Sequence, residues 1–326
     1  MSESAESVTV AVTGAAGFIG SRVVRILQDE HPEWELIALD NFYLGDVRQI
    51  GDLEVEYVDI RNRDALETAL DGADVVLHLA AVSGVDDCTE NKDLAYEVNV
   101  QGTDNVAWFC RKTGAGLVFP FSMATLGDPE TFPITADLER GPMNWYGRTK
   151  VLGERAIETL ADGAFPAHLY LKSNLYGEHQ IGGRTVTKGT VINFFVSRVF
   201  SEDPITVYEP GTQARNYIHV KDVATAYVRS VEKLLDQLDA GKTGTWTYEI
   251  ASSEDPSVME VAEKVQSIAA DLGIETDVDL VENPRGNETL VSEFGVDTTK
   301  AKTDLGWEPT HTVDATIREL LEKRTD

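Results

Sequence analysis

The first half of the chain alternates short apolar runs with stretches of helical periodicity. Apolar runs occupy Val8–Val12, Leu36–Leu39, Val55–Val58, Asp74–Leu79 and Leu117–Phe121. Between the first two, Arg22–Asp29 places Val23, Val24, Ile26 and Leu27 on one helical face. Helical patterns also fill Asp64–Leu70, Asp93–Arg111 and Tyr146–Ala161. Strand, helix, strand at this spacing predicts parallel strands with crossover helices. The runs are apolar throughout, as expected of strands covered on both faces.

After residue 172 the rhythm breaks. Residues 177–216 read as loop-rich, with GEHQIGGRTVTKGT and EPGTQARN as turn-like stretches. Further on, Ser257 and Glu260 form a capping box for a helix over Ser257–Leu272, whose apolar stripe is Val258, Val261, Val265, Ile268 and Leu272. The pattern predicts an α/β fold: a Rossmann-type doubly wound parallel sheet over residues 1–172, which part of 217–250 rejoins. A smaller C-terminal α/β substrate domain covers most of 173–326.

Composition narrows the partners. Lys plus Arg is 28 and Asp plus Glu is 56 in 326 residues, a net charge of −28. Only 12 of the cations are Lys. Neither nucleic acid nor anionic membrane suits such a chain, because both need basic clusters that the sequence lacks. At 42% hydrophobic it has enough apolar residues for a core. An acidic, Lys-poor surface on an ordinary core suits a halophilic protein; a merely acidic cytosolic enzyme is the alternative. Two cysteines, Cys88 and Cys110, fit a reducing, cytoplasmic setting. The N-terminal MSESAES lacks the basic region of a signal peptide and reads as a short disordered tail. The six His show no ligand spacing, so no metal site is expected.

The chemistry starts at TGAAGFIG, Thr13–Gly20, where the first strand meets the first helix. Gly14 permits the tight turn, Gly17 lets backbone approach a pyrophosphate, and Gly20 allows close helix packing; Phe18 and Ile19 complete the loop. The helix N-terminus adds N–H donors and a favourable dipole. Asp40 ends the second strand, where a carboxylate accepts from ribose hydroxyls and repels a 2′-phosphate, favouring NAD over NADP.

Two Tyr-x-x-x-Lys pairs occur, Tyr146/Lys150 and Tyr217/Lys221. The first lies within a helical pattern, one turn apart on one face, where a lysine cation would lower the phenol's pKa. Such a Tyr can exchange a proton with a sugar hydroxyl while hydride moves to nicotinamide. The second pair sits where a strand-like run meets a helix start and reads as structural. Ser122, at the end of the fifth strand, can bond the same substrate oxygen as Tyr146; Thr125 is a rival.

Together these residues resemble the NAD-dependent epimerase/dehydratase family of extended short-chain dehydrogenase/reductases, nearest the UDP-glucose 4-epimerase type. DN at 40–41, DI at 59–60, HLAA at 78–81, YGRTK at 146–150, NLYG at 174–177, RNYIHVKDVA at 215–224 and LGWEP at 305–309 match in order. The resemblance implies catalytic Ser122, Tyr146 and Lys150, and a cofactor site that adds Asn41, Asp59, Ile60, Leu79, Ala80, Ala81 and Asn99 to the glycine loop and Asp40. It implies substrate contacts from Ser122, Asn174, Arg215 and Arg285, with the arginines on a diphosphate, and a homodimer formed through helices at 93–111 and 146–161. The family's dehydratases and decarboxylases carry acids just after the catalytic hydroxyl; here those positions are Met123 and Ala124, which disfavours both chemistries. Leu126 stands where the family has Tyr, and Leu171, with Lys172 beside it, where an Arg is common. The expected activity is 4-epimerisation of a nucleotide sugar. A net sugar dehydrogenase or keto-sugar reductase, or a non-catalytic NAD-binding regulator, are the alternatives.

Overall fold

A computed structural model describes residues 7–201, 203–284 and 290–325. The chain opens with β1 (Thr9–Thr13), α1 (Gly20–Glu30) and β2 (Glu35–Asp40), then a hairpin, β3 (Gln49–Ile50) and β4 (Leu53–Glu54), and β5 (Glu56–Tyr57). Next come α2 (Arg63–Ala69), β6 (Val75–His78), α3 (Val85–Glu90), α4 (Lys92–Tyr96), a π-helical turn (Glu97–Gly102) and α5 (Thr103–Thr113). β7 (Gly116–Ser122), a 3₁₀ turn (Met123–Thr125), α6 (Trp145–Ala161) and β8 (Pro166–Lys172) follow. The remainder is β9 (Asn174–Tyr176), β10 (Glu178–Ile181), β11 (Arg184–Thr187), α7 (Val191–Arg198), β12 (Ile205–Tyr208) and β13 (Tyr217–His219). α8 (Val220–Asp239), β14 (Gly244–Ile250), α9 (Val258–Asp271), β15 (Val278–Val281), α10 (Thr299–Leu305) and α11 (Val313–Thr325) complete it.

Seven parallel strands form the main sheet in the order β14-β8-β7-β6-β1-β2-β5. Successive side chains of a strand point to opposite faces, and β1 shows the consequence. Ala11 joins a core with Leu66, Val106, Phe109 and Ile157 from α2, α5 and α6. Val10 and Val12 join the opposite core with Val23, Leu27, Tyr227 and Leu234 from α1 and α8. A third core under the C-terminal segment gathers Val196, Val265 and Leu320 from α7, α9 and α11. The strand order reverses beside β1, and all carboxyl ends open on one edge, the place where doubly wound sheets bind ligands.

Three local expectations change. The apolar run Val55–Val58 shrinks to the two-residue edge strand β5. The helical pattern over 93–111 is interrupted by the π-helical turn, which carries Asn99 and Gly102. The stretch 177–216, read as loop-rich, also holds the β10–β11 hairpin, α7 and β12. Its Gly182-Gly183 pair has positive φ at both residues, as a two-residue hairpin turn requires. The capping box forms as expected, Ser257 N–H donating to Glu260 Oε2 at 2.7 Å and Glu260 N–H to Ser257 Oγ at 3.2 Å.

The segment between β7 and α6 is fixed by a buried ion pair. Arg140 forks onto Glu154 of α6 at 2.7–3.1 Å, with side chains 9% and 2% exposed. Asn144 caps α6 by accepting from Gly147 N–H at 2.8 Å. Removing one partner strands the other charge in the interior. Glu154→Ala is predicted to lower unfolding stability by about 3 kcal/mol in denaturant titration; a loss below about 1 kcal/mol would show that the pair does not hold this segment.

Candidate active site

At the carboxyl end of β1, Gly14 turns with φ +76°. A Cβ there would lie 2.6 Å from Ala80 N and 2.7 Å from Leu79 C, so only glycine lets β1 and the loop after β6 approach this closely. At Gly20 a Cβ would sit 2.1 Å from Gly14 O, which closes the turn onto α1. Leu79 N–H donates to Thr13 O at 3.0 Å. Phe18 offers its carbonyl to His179 of β10 at 2.8 Å, and the two rings stack at 5.9 Å, so the C-terminal half braces the glycine loop.

Asp40 is buried beside this loop. Its carboxylate accepts from Ala16 N–H at 3.0 Å and Phe42 N–H at 2.7 Å. Burial raises its pKa and those bonds oppose the rise. Asn41 donates to Asp59 at 3.2 Å. Asp59 also receives the Arg61 fork at 2.7 and 3.0 Å, which holds its pKa down at about 2. Both Asp59 oxygens are thus taken up in an ion pair, while the Ile60 side chain packs on Gly102.

Asn99 lies on the π-helical turn. It is fully buried; its amide receives Val82 N–H at 2.9 Å and donates to Val82 O at 3.0 Å and Thr149 Oγ1 at 3.1 Å. It braces the loop after Ala81. Thr149 continues the link by donating to Tyr146 O at 2.8 Å.

Ser122 ends β7, with Oγ accepting from Ala124 N–H at 3.2 Å. Its rival Thr125 is fully buried and donates back to Ser122 O at 2.7 Å, which removes it from the cleft. Tyr146 and Lys150 share one face of α6. The expected lowering of the Tyr146 pKa is not found. Burial pushes the phenol up to about 12, and the hydrogen bond to Ser122 only moderates this. Lys150 is 4% exposed, its Nζ 4.6 Å from the Phe119 ring centroid, and burial pulls its pKa down to about 8. Two desolvated groups each favour their neutral form, so proximity alone does not create a phenolate.

Asn174 is exposed on β9 and Arg215 is partly buried; pairing of β9 with β13 draws them together. Asn174 donates to Asn216 O at 3.3 Å and Arg215 to Ala214 O at 2.7 Å. Arg285 lies outside the described residues. Tyr217 of the second Tyr/Lys pair is buried in β13, consistent with the structural reading.

The model of the NAD dependent epimerase/dehydratase family matches residues 10–250. The chain belongs to that family. Among its relatives, the UDP-glucose 4-epimerase of Bacillus subtilis (strain 168) is 29% identical over 92% of this chain and 91% of its own. The UDP-glucose 4-epimerase of Thermus thermophilus, solved in complex with NAD, superposes with TM-score 0.79 at 26% identity, covering 96% and 98%. MoeE5, solved with UDP-glucuronic acid and NAD, gives 0.78 at 25%, covering 97% and 99%.

The residues fit NAD. The glycine turn leaves backbone where any side chain would intrude, Asp40 closes the adjacent strand, and Lys150 presents a buried ammonium with no hydrogen-bond partner among the described residues. His78, the first residue of HLAA, has contacts that the motif did not show. His78 bridges Thr13 Oγ1 at 2.8 Å and Thr103 Oγ1 at 3.0 Å, neutral because burial takes its pKa to about 3. Among the described residues one group with metal-ligand geometry does occur, Glu30, His31 and Glu232, where His31 meets a Glu 201 positions away in sequence. It sits at the far end of α1 from the glycine loop, and Arg229 already pairs with both glutamates.

Lys150 gives the prediction of this family site. Its folded pKa of about 8 lies below the ordinary 10.5, so burying the charged form costs stability at neutral pH. That cost is complete below about pH 8 and fades toward pH 10.5. Lys150→Met in cofactor-stripped protein is predicted to be more stable at pH 7 by up to about 3 kcal/mol, the gain shrinking as pH rises. Destabilisation at pH 7 in thermal unfolding would contradict this.

Proposed function

We propose that the cleft at the carboxyl edge of the sheet performs NAD-dependent 4-epimerisation of a nucleoside-diphosphate sugar. The observation that carries the reading is Tyr146 next to Ser122, with buried Lys150 one turn along the same helix face and without a hydrogen-bond partner among the described residues. The named relatives, UDP-glucose 4-epimerases, support the substrate class. NAD, when bound, supplies a reversible hydride acceptor. Tyr146 Oη takes the proton of the C4 hydroxyl and returns one to the C4 oxygen after the keto sugar has turned over. Ser122 Oγ bonds the same oxygen. Lys150 binds the cofactor's ribose and, when charged, favours the phenolate, offsetting the burial that holds Tyr146 at about 12. Met123 and Ala124 offer no acid or base, so elimination and decarboxylation lack a proton carrier.

Residues 173–326 supply most of the substrate side in this reading, with Asn174 and Arg215 toward the sugar diphosphate. Tyr146→Phe is predicted to retain NAD, seen by cofactor fluorescence or mass, and to lose at least about 100-fold in turnover. Turnover within about threefold of wild type would remove Tyr146 from the proton transfer.

The protein is also read as a cytoplasmic, salt-adapted homodimer. No helix among the described residues is long and apolar enough to cross a membrane, and both cysteines are buried and free. Trp108 of α5 and Leu152 of α6 are exposed on neighbouring helices, an apolar face suited to a second copy. Screening of the −28 charge then favours both association and folding. In molar salt, sedimentation should give twice the 35.8 kDa chain mass, with higher activity than in dilute buffer. A fully active monomer in dilute buffer would contradict both readings.

A further inference from the structure

The same edge carries a cation that this chemistry leaves unused. Lys172 ends β8 directly opposite Ser122 of β7 in the parallel register. Register partners in a parallel pair face the same side of the sheet. Lys172 therefore shares the face of Ser122, which neighbours Tyr146. Its Nζ donates to the carbonyl of the next residue, Ser173, at 3.2 Å. Burial, helped by repulsion from Lys188 and Lys150, pulls its pKa down to about 7. Lys188 is tied to the loop after β6 by donating to Ser83 Oγ at 2.7 Å.

Among the described residues, the lysines that form ion pairs are Lys112, Lys264, Lys302 and Lys323. Asp87 acts on Lys188 from beyond ion-pair range. Three of 12 lysines thus converge on one edge of a protein with 56 acids, none held by a carboxylate among the described residues. Gathering them costs free energy that a bound anion recovers. Cofactor phosphates are an unsuitable anion. They belong at the glycine loop of β1, three strands from β8, or roughly 14 Å at ordinary strand spacing. A substituent on a sugar ring whose C4 oxygen lies at Ser122 is within a lysine's reach.

We propose that Lys172 recognises a carboxylate carried by the sugar ring, so that a nucleoside-diphosphate hexuronate is preferred over the neutral hexose. This rests on the epimerase reading for the position of the ring. The test is calorimetric titration of NAD-loaded enzyme with UDP-glucuronate and UDP-glucose, for wild type, Lys172→Met, Lys172→Gln and Lys172→Arg. Wild type should bind the glucuronate more tightly. Lys172→Met and Lys172→Gln should weaken glucuronate binding about 10-fold or more, with UDP-glucose changed less than about threefold. Lys172→Arg should retain most of the preference. Tighter wild-type binding of UDP-glucose overturns the proposal. So does an equal loss for both sugars, which would assign Lys172 to the shared diphosphate. Affinity is read without turnover, so a failure of the epimerase reading appears separately, as absence of C4 inversion.

Discussion

The close approach of two backbones at Gly14 sets the rest of the molecule. No side chain fits between the β1 turn and Leu79–Ala80, so the turn seats directly on the loop after β6. That loop is held from its other side by Asn99, and Asn99 is held by Thr149 of the helix that carries Tyr146 and Lys150. The cofactor cradle and the proton-transfer pair are therefore connected through one buried chain of hydrogen bonds. His179 ties the opposite rim of the glycine loop to the C-terminal half.

Burial at this edge opposes the charged forms the chemistry uses. Tyr146 is pushed up, and Lys150 and Lys172 are pushed down. Groups kept away from their preferred charge state, yet positioned by satisfied neighbours, mark a site built for binding at the expense of stability. The excess of acids adds to this arrangement. With most carboxylates on the surface and, among the described residues, no carboxylate paired with the cleft lysines, the molecule attracts anions locally while its net charge is strongly negative.

Much of this was legible in the chain. The glycine loop, Asp40, Ser122 and the Tyr146/Lys150 pair depend on spacing within one strand, turn or helix, and local spacing survives folding. What could not be read depends on contacts between distant segments. The adjacency of Ser122 and Lys172 is a register fact, and the role of Asn99 as a brace depends on a π-helical turn inside an apparently regular helical pattern. The phenol's upward shift depends on burial, which local sequence does not report. The β10–β11 hairpin did leave a signal, the Gly182-Gly183 turn, which polar neighbours disguised as loop.

The most direct measurement follows the hydrogen at C4. A UDP-sugar deuterated at C4 is incubated with catalytic amounts of enzyme, and both sugars and free cofactor are analysed by mass spectrometry. The expected result is interconversion of the two C4 epimers, deuterium retained at C4 in each, and no accumulation of free reduced NAD. Stoichiometric release of deuterated, reduced NAD with a keto sugar would contradict it, and would make the protein a net dehydrogenase.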